Sequence, residues 1–194
     1  LSTILNLLRI GTTEVQGEQL LDYFNIFLAP FIKGIETERI RENLRLLVLN
    51  LNQTVLDSNS QQAGSLCVEP TIRNFLEGEE AIGVDGKKMG RYADYAEESQ
   101  ILSSILLETI IEESKHKPML QPNIILKMRP QAFQGKESRS VLYLAHKLAA
   151  VKGLPCFANI NAKDQRHVSY AASGSRFVND WKGDWELDTL RMGT

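Results

Sequence analysis

The chain has 194 residues, with 22 Lys and Arg against 24 Asp and Glu, so its formal net charge is −2. Hydrophobic residues make up 43% and charged residues 24%, which excludes a disordered, collagen-like or disulfide-scaffold protein. Near-neutral charge gives no long-range pull toward nucleic acid or an anionic membrane, and no apolar run approaches the roughly 18 residues of a membrane span. Two cysteines, Cys67 and Cys156, are too few for a disulfide framework or a Cys-rich zinc site, so a reducing, cytoplasmic setting is expected. The chain begins at Leu1 without Met or a signal-like segment and stops straight after the ordered-looking Trp185–Leu190 stretch. It is expected to be one domain and part of a longer protein.

From Gln19 to Phe31 the residues Leu20, Phe24, Phe27, Leu28 and Phe31 recur at helical spacing, closed by Pro30 and Gly34. Thr37 opens a second helix, with Ile40, Leu44, Leu47, Val48 and Leu51 on one face and Arg39, Arg41, Glu42 and Arg45 on the other. The short break between the two predicts a helical hairpin within residues 1–57. Ser65 to Glu69 reads as a short strand ended by Pro70. Ala81 to Arg91 reads as a surface loop with an Asp85-Gly86 turn. A long helix is expected over Tyr92–Ser114, with Tyr95, Leu102, Ile105, Leu106, Thr109 and Ile110 buried. Asn123–Met128 has the continuous apolar look of a strand covered on both faces. A helix from about Ser138 ends at Lys152 and Gly153, and Leu154–Ile160 is a further buried strand. Strand, helix and strand over 123–160 make a βαβ unit, so the expected class is α/β with parallel strands over 58–194.

Few residues advertise chemistry. His116, His146 and His167 lack ligand spacing, so no metal site is expected. Gly83, Gly86 and Gly90 with Lys87 and Lys88 form a turn-rich loop rather than a phosphate-binding fingerprint. The pairs Glu97-Glu98 and Glu112-Glu113 read as solvated helix faces. In parallel sheets ligands bind beyond the carboxyl ends of the strands. Asn159 and Asn161, at the end of the last strand, either grip a polar ligand there or satisfy loop backbone. Cys67 by itself reads as a buried, inert thiol, and Cys156 as structural.

The order of segments resembles the start of the catalytic domain of anaerobic (class III) ribonucleoside-triphosphate reductases. The matching pieces are Gln16-Gly17-Glu18, Tyr23 through Leu28-Ala29-Pro30-Phe31, Leu49-Asn50-Leu51-Asn52 and Pro70-Thr71-Ile72. They continue through Gly83-Val84-Asp85-Gly86-Lys87, Tyr92-Ala93-Asp94-Tyr95-Ala96-Glu97-Glu98 and Gly153-Leu154-Pro155-Cys156-Phe157-Ala158-Asn159. The resemblance implies a glycyl-radical-type α/β barrel, of which this chain is a part, and reduction of ribonucleoside triphosphates to their 2′-deoxy forms for deoxyribonucleotide synthesis. It implies a glycyl radical outside this segment, installed by a separate S-adenosylmethionine iron–sulfur activase, and a thiyl radical that takes the ribose 3′ hydrogen. A homodimer is implied as well. On the resemblance, Cys67 is assigned the role of a cysteine facing the substrate. Ser65, Asn159, Asn161, Ser173 and Arg176 are the expected nucleotide-binding residues, Arg176 at phosphate.

The pattern departs from the family at one place. Where the family carries a cysteine-containing segment, Val168–Phe177 reads Val-Ser-Tyr-Ala-Ala-Ser-Gly-Ser-Arg-Phe, without cysteine. Three readings stay open: a shifted correspondence, a cysteine beyond Thr194, or a degenerate relative. The rival function is accordingly a non-catalytic homologue that binds nucleotide or a protein partner, and the plainest alternative is a scaffold without a ligand.

Overall fold

Helical and strand signals alternate along the chain, and the computed structural model, which describes residues 1–14, 19–53, 64–160, 168–170 and 176–178, turns them into one layered unit. In chain order the elements are α1 (Ser2–Glu14), β1 (Gln19–Leu21), α2 (Phe24–Ile32), α3 (Thr37–Leu51), β2 (Gly64–Val68), α4 (Asn74–Glu77), β3 (Glu80–Ile82), β4 (Lys88–Arg91) and α5 (Ala96–Glu113). They continue with β5 (Asn123–Met128), α6 (Lys136–Lys152), β6 (Cys156–Asn159), β7 (Val168–Tyr170) and β8 (Arg176–Val178).

Strands β1, β2, β5 and β6 form one sheet in that order, every pair parallel. Strand order follows chain order, and each connection returns through helices. Leu66 and Val68 of β2 and Ile124 and Leu126 of β5 share a core with α3, α5 and α6. The alternate residues Cys67, Ile125 and Ala158, with Leu20, form a separate small cluster on the opposite side. The helical core therefore lies on one face only. A sheet wound in this single direction is the beginning of a barrel, with the helices outside and the Cys67 face inside.

Several expectations hold to the residue. The buried stripe of α3 is Ile40, Leu44, Leu47, Val48 and Leu51, β5 occupies Asn123–Met128, and Gly153 ends α6 in the left-handed region at φ 72°. Others are corrected. Gln19–Leu21, expected to open a helix, is β1: pairing with β2 overrides a helical period carried by three residues. Tyr23, at φ 49°, then blocks any backward extension of α2. Pro30 lies within the last turn of α2 instead of ending it.

The predicted hairpin is also revised. Both α2 and α3 pack chiefly on α5, leaving between them and α1 an apolar groove of about 600 Å³. Enclosed in this way, α5 buries polar positions too. Glu113, expected in solvent, is 6% exposed and accepts from Arg45 Nε. The 81–91 loop is a β-hairpin of β3 and β4, its turn made by Asp85 and Gly86 at φ 61° and 70°. Only Ala158 of β6 is buried, because β6 is the edge of the sheet among the described residues. Cys156, expected to be structural, is exposed on that edge.

An aromatic cluster fixes the long excursion between β2 and α5. Tyr23 stands edge-on to Phe27 and Phe75, and Phe27 to Tyr92. These contacts pin the Thr71–Phe75 loop and the hairpin against α2, so the loop stands over the carboxyl end of the sheet.

Candidate active face

The inner face begins with Ser65 and Cys67, which strand alternation sets on the same side of β2. Both are buried, Cys67 completely. Beyond them, at the carboxyl ends of the strands, the face becomes ionic. Lys127 of β5 is 1% exposed and its Nζ lies 2.9 Å from Asp22 Oδ1 and 3.0 Å from Asp22 Oδ2. The same ammonium sits 3.9 Å above the Tyr23 ring. One step further along, Arg129 Nε donates to the fully buried carboxylate of Glu69. Asn25 fixes Glu69 from the other side: its Nδ2 donates to Glu69 O at 2.8 Å and its Oδ1 accepts from Glu69 N at 3.1 Å. Each charge in this low-dielectric layer has an opposite partner, as burial demands.

Cys67 adjoins the first of these pairs. Burial pushes its thiol well above the usual range; the Lys127 charge pulls the other way, and the neighbouring Asp22 and Glu69 carboxylates raise it further. Its sulfur is therefore held as S–H near neutral pH.

A cleft of about 380 Å³ opens beside Arg129. Thr71, Arg73 and Asn74 line it from the loop after β2, Arg129 and Gln131 from the end of β5, and Ile160 from the end of β6. Two guanidinium-bearing residues at the carboxyl ends of parallel strands suit an anionic ligand. The larger apolar groove lies on the outer, helical side, away from these groups.

The sequence-predicted residues fall in different places. Ser65 and Cys67 share the inner face. Asn159 ends β6 in register with Met128, a residue packed on the helical core, so alternation turns it to the outer side. Arg176 opens β8, opposite Tyr170. Asn161 and Ser173 lie outside the described residues. Sequence reading missed Asp22, Asn25, Glu69, Arg73, Lys127 and Arg129. One signal was available: a lysine inside Asn-Ile-Ile-Leu-Lys-Met, a strand covered on both faces, must have a buried partner. Among the described residues no three His, Cys, Asp or Glu side chains are grouped to hold a metal ion, and no helix is long and apolar enough to cross a membrane.

Comparison with known proteins gives this geometry a context. The crystal structure of the anaerobic ribonucleotide reductase from Thermotoga maritima with citrate in the active site matches with a TM-score of 0.63 at 14% identity, over 91% of this chain and 34% of that one. A second structure of the Thermotoga maritima enzyme, with glycerol in the active site, matches with a TM-score of 0.58 at 16% identity, over 76% and 25%. The chain thus spans about a third of the length of the first of these. No curated protein matches by sequence. At such identities the likeness establishes the fold, that of a glycyl-radical-type α/β barrel. The family model described as anaerobic ribonucleoside-triphosphate reductase matches residues 1–193. On that match over nearly its whole length, the chain belongs to the anaerobic ribonucleoside-triphosphate reductase family.

Proposed function

We propose that the chain is part of an enzyme that reduces ribonucleoside triphosphates to 2′-deoxyribonucleoside triphosphates, and that its inner sheet face forms one wall of the substrate site. The observation that carries the reading is the one-sided sheet: helices bury one face, while the other bears a fully buried thiol below a cationic cleft. When present, a glycyl radical elsewhere in the protein, installed by a separate S-adenosylmethionine iron–sulfur activase, supplies the thiyl radical that takes the ribose 3′ hydrogen. A buried face suits such chemistry because it keeps water and side reactions from the sugar.

The residues of this chain bind and orient. Arg73 and Arg129 receive the phosphates, the latter aimed by Glu69. Glu69 follows the end of β2 two residues past Cys67, about 7 Å further along for extended chain. That rise suits a nucleotide whose phosphates lie at the arginine level and whose ribose lies at the sulfur. Ser65 and Cys67 then border the sugar, and Asn161, Ser173 and Arg176 complete the nucleotide contacts. The active protein is a cytoplasmic homodimer on this reading.

A second reading, a non-catalytic homologue that binds nucleotide or a protein partner, is favoured by one observation, the cysteine-free Val168–Phe177 segment. Anaerobic incubation of the full-length protein with its activase and the four ribonucleoside triphosphates separates the two. Deoxyribonucleotide product supports the enzyme. A glycyl radical signal without product, or nucleotide binding without either, overturns it in favour of the homologue.

A further inference from the structure

Continuing the β1–β2 register by one residue, from Leu21 opposite Leu66, sets Asp22 beside Cys67. On the other side of β2, Cys67 pairs with Ile125, and Lys127 follows two residues later on the same face. Three side chains from three strands therefore meet on the inner face. The Asp22 carboxylate is held from two directions. Lys127 Nζ lies at 2.9 and 3.0 Å from its two oxygens, and the Tyr23 backbone N–H donates to Oδ1 at 2.9 Å. The Cys67 thiol lies next to the same carboxylate, whose charge favours keeping its proton. Lys127 is fixed in turn by the Tyr23 ring and by burial.

We propose that Asp22, clamped by Lys127, is a positioning residue for Cys67: its carboxylate holds the thiol hydrogen on sulfur and sets the direction of the S–H bond. The inference rests on the reading of the inner face as a radical site. Hydrogen-atom exchange at sulfur interconverts S–H and S•, the hydrogen leaving with one electron; a thiolate has no hydrogen to exchange. A buried cation beside a cysteine would by itself draw the proton off. Pairing Lys127 with Asp22 offsets that pull and places an acceptor beside the hydrogen. The charged groups facing the sulfur are Asp22 at the end of β1, Glu69 beyond β2 and Lys127 on β5; burial favours the protonated thiol most, Lys127 opposes it, and Asp22 is the nearer acid in register that reinforces it.

The test uses the full-length protein before activation, so it does not depend on turnover. The S–H stretching band of Cys67 is isolated as the Raman difference between wild type and Cys67→Ser, and the pH dependence of Cys67 alkylation is followed by peptide mass spectrometry. In Asp22→Asn the S–H band moves to higher frequency, because a neutral amide accepts more weakly. Alkylation at a fixed pH below the thiol midpoint rises about tenfold or more, corresponding to a midpoint lower by one unit or more. Asp22→Asn/Lys127→Met leaves no charge stranded and keeps the fold accessible; its S–H band moves in the same direction. An S–H band unchanged in both variants, or alkylation unchanged in Asp22→Asn, overturns the inference. If the variants behave as stated and wild type makes no deoxyribonucleotide, the inference stands and the reading of the site as a reductase fails.

Discussion

Replacing Arg129 by Met isolates what the Glu69 pair contributes. The Glu69 side chain is fully buried and Arg129 is its ion-pair partner, with Asn25 holding the Glu69 backbone in place. Without the guanidinium, an ionised Glu69 loses the Arg129 charge in the protein interior, an effect of about 4–6 kcal/mol at an effective dielectric constant of about 20. The carboxyl group has a cheaper way out, which is to take up a proton. Doing so at pH 7 costs about 1.4 kcal/mol for each unit above the ordinary glutamate value of about 4.3, close to 4 kcal/mol in all. The penalty is therefore capped near 4 kcal/mol at pH 7 and falls to about 1 kcal/mol at pH 5. The sign follows from linkage: the variant raises the folded-state value above the unfolded one, so the penalty is absent below about pH 4.3 and grows as pH rises toward the new value. Hydrogen exchange of the β2 and β5 amides in the full-length protein reads this locally. After correction for intrinsic rates, Arg129→Met exchanges several hundred-fold faster than wild type at pH 7 and about fivefold faster at pH 5. Glu69→Gln/Arg129→Met, with no charge to strand, stays within about tenfold at both. Equal acceleration of the single variant at the two pH values, or a double variant as labile as the single, refutes the reasoning.

Three further outcomes follow from the same structure. Arg73→Ala, which removes a cation from the cleft, raises KM for ribonucleoside triphosphate about tenfold or more with kcat little changed, as steady-state kinetics will register. Leu106→Ala, at a completely buried position of α5, lowers stability by about 2–5 kcal/mol and speeds exchange throughout α5. Gly153→Ala meets nothing within 4 Å but forces a side chain onto a backbone at φ +72°, a loss of about 1–2 kcal/mol, seen as faster exchange at the end of α6.

Repetition decides how much of this was legible in the sequence. The stripe on α3 and the apolar run of β5 repeat a period often enough to outvote any local accident, and a strand–helix–strand order permits little except parallel pairing. By contrast, β1 has three residues and owes its conformation to β2, 45 residues away in sequence at their first paired positions. The ion pairs were hidden for the same reason. Lys127 and Asp22 are 105 residues apart and Arg129 and Glu69 are 60 apart, so nothing local links them. Only the presence of Lys127 inside an apolar strand betrayed that a partner existed. Cys67 and Ser65 were singled out through the family resemblance, since by itself Cys67 read as a buried, inert thiol, and strand alternation is what sets the two on one face. Asn159 was picked for its position at a strand end, and only the register with β5 reveals which face it takes. The resemblance to a family rested on the order of short pieces, and a match over residues 1–193 bears it out.

The most direct measurement compares wild type with Cys67→Ser in the full-length protein, activated anaerobically, with glycyl radical content and deoxyribonucleotide product determined on the same samples. The account predicts that both proteins carry the radical and that only wild type yields 2′-deoxyribonucleoside triphosphate. Product formation by Cys67→Ser at the wild-type rate would contradict the assignment of the inner sheet face as the site of reduction.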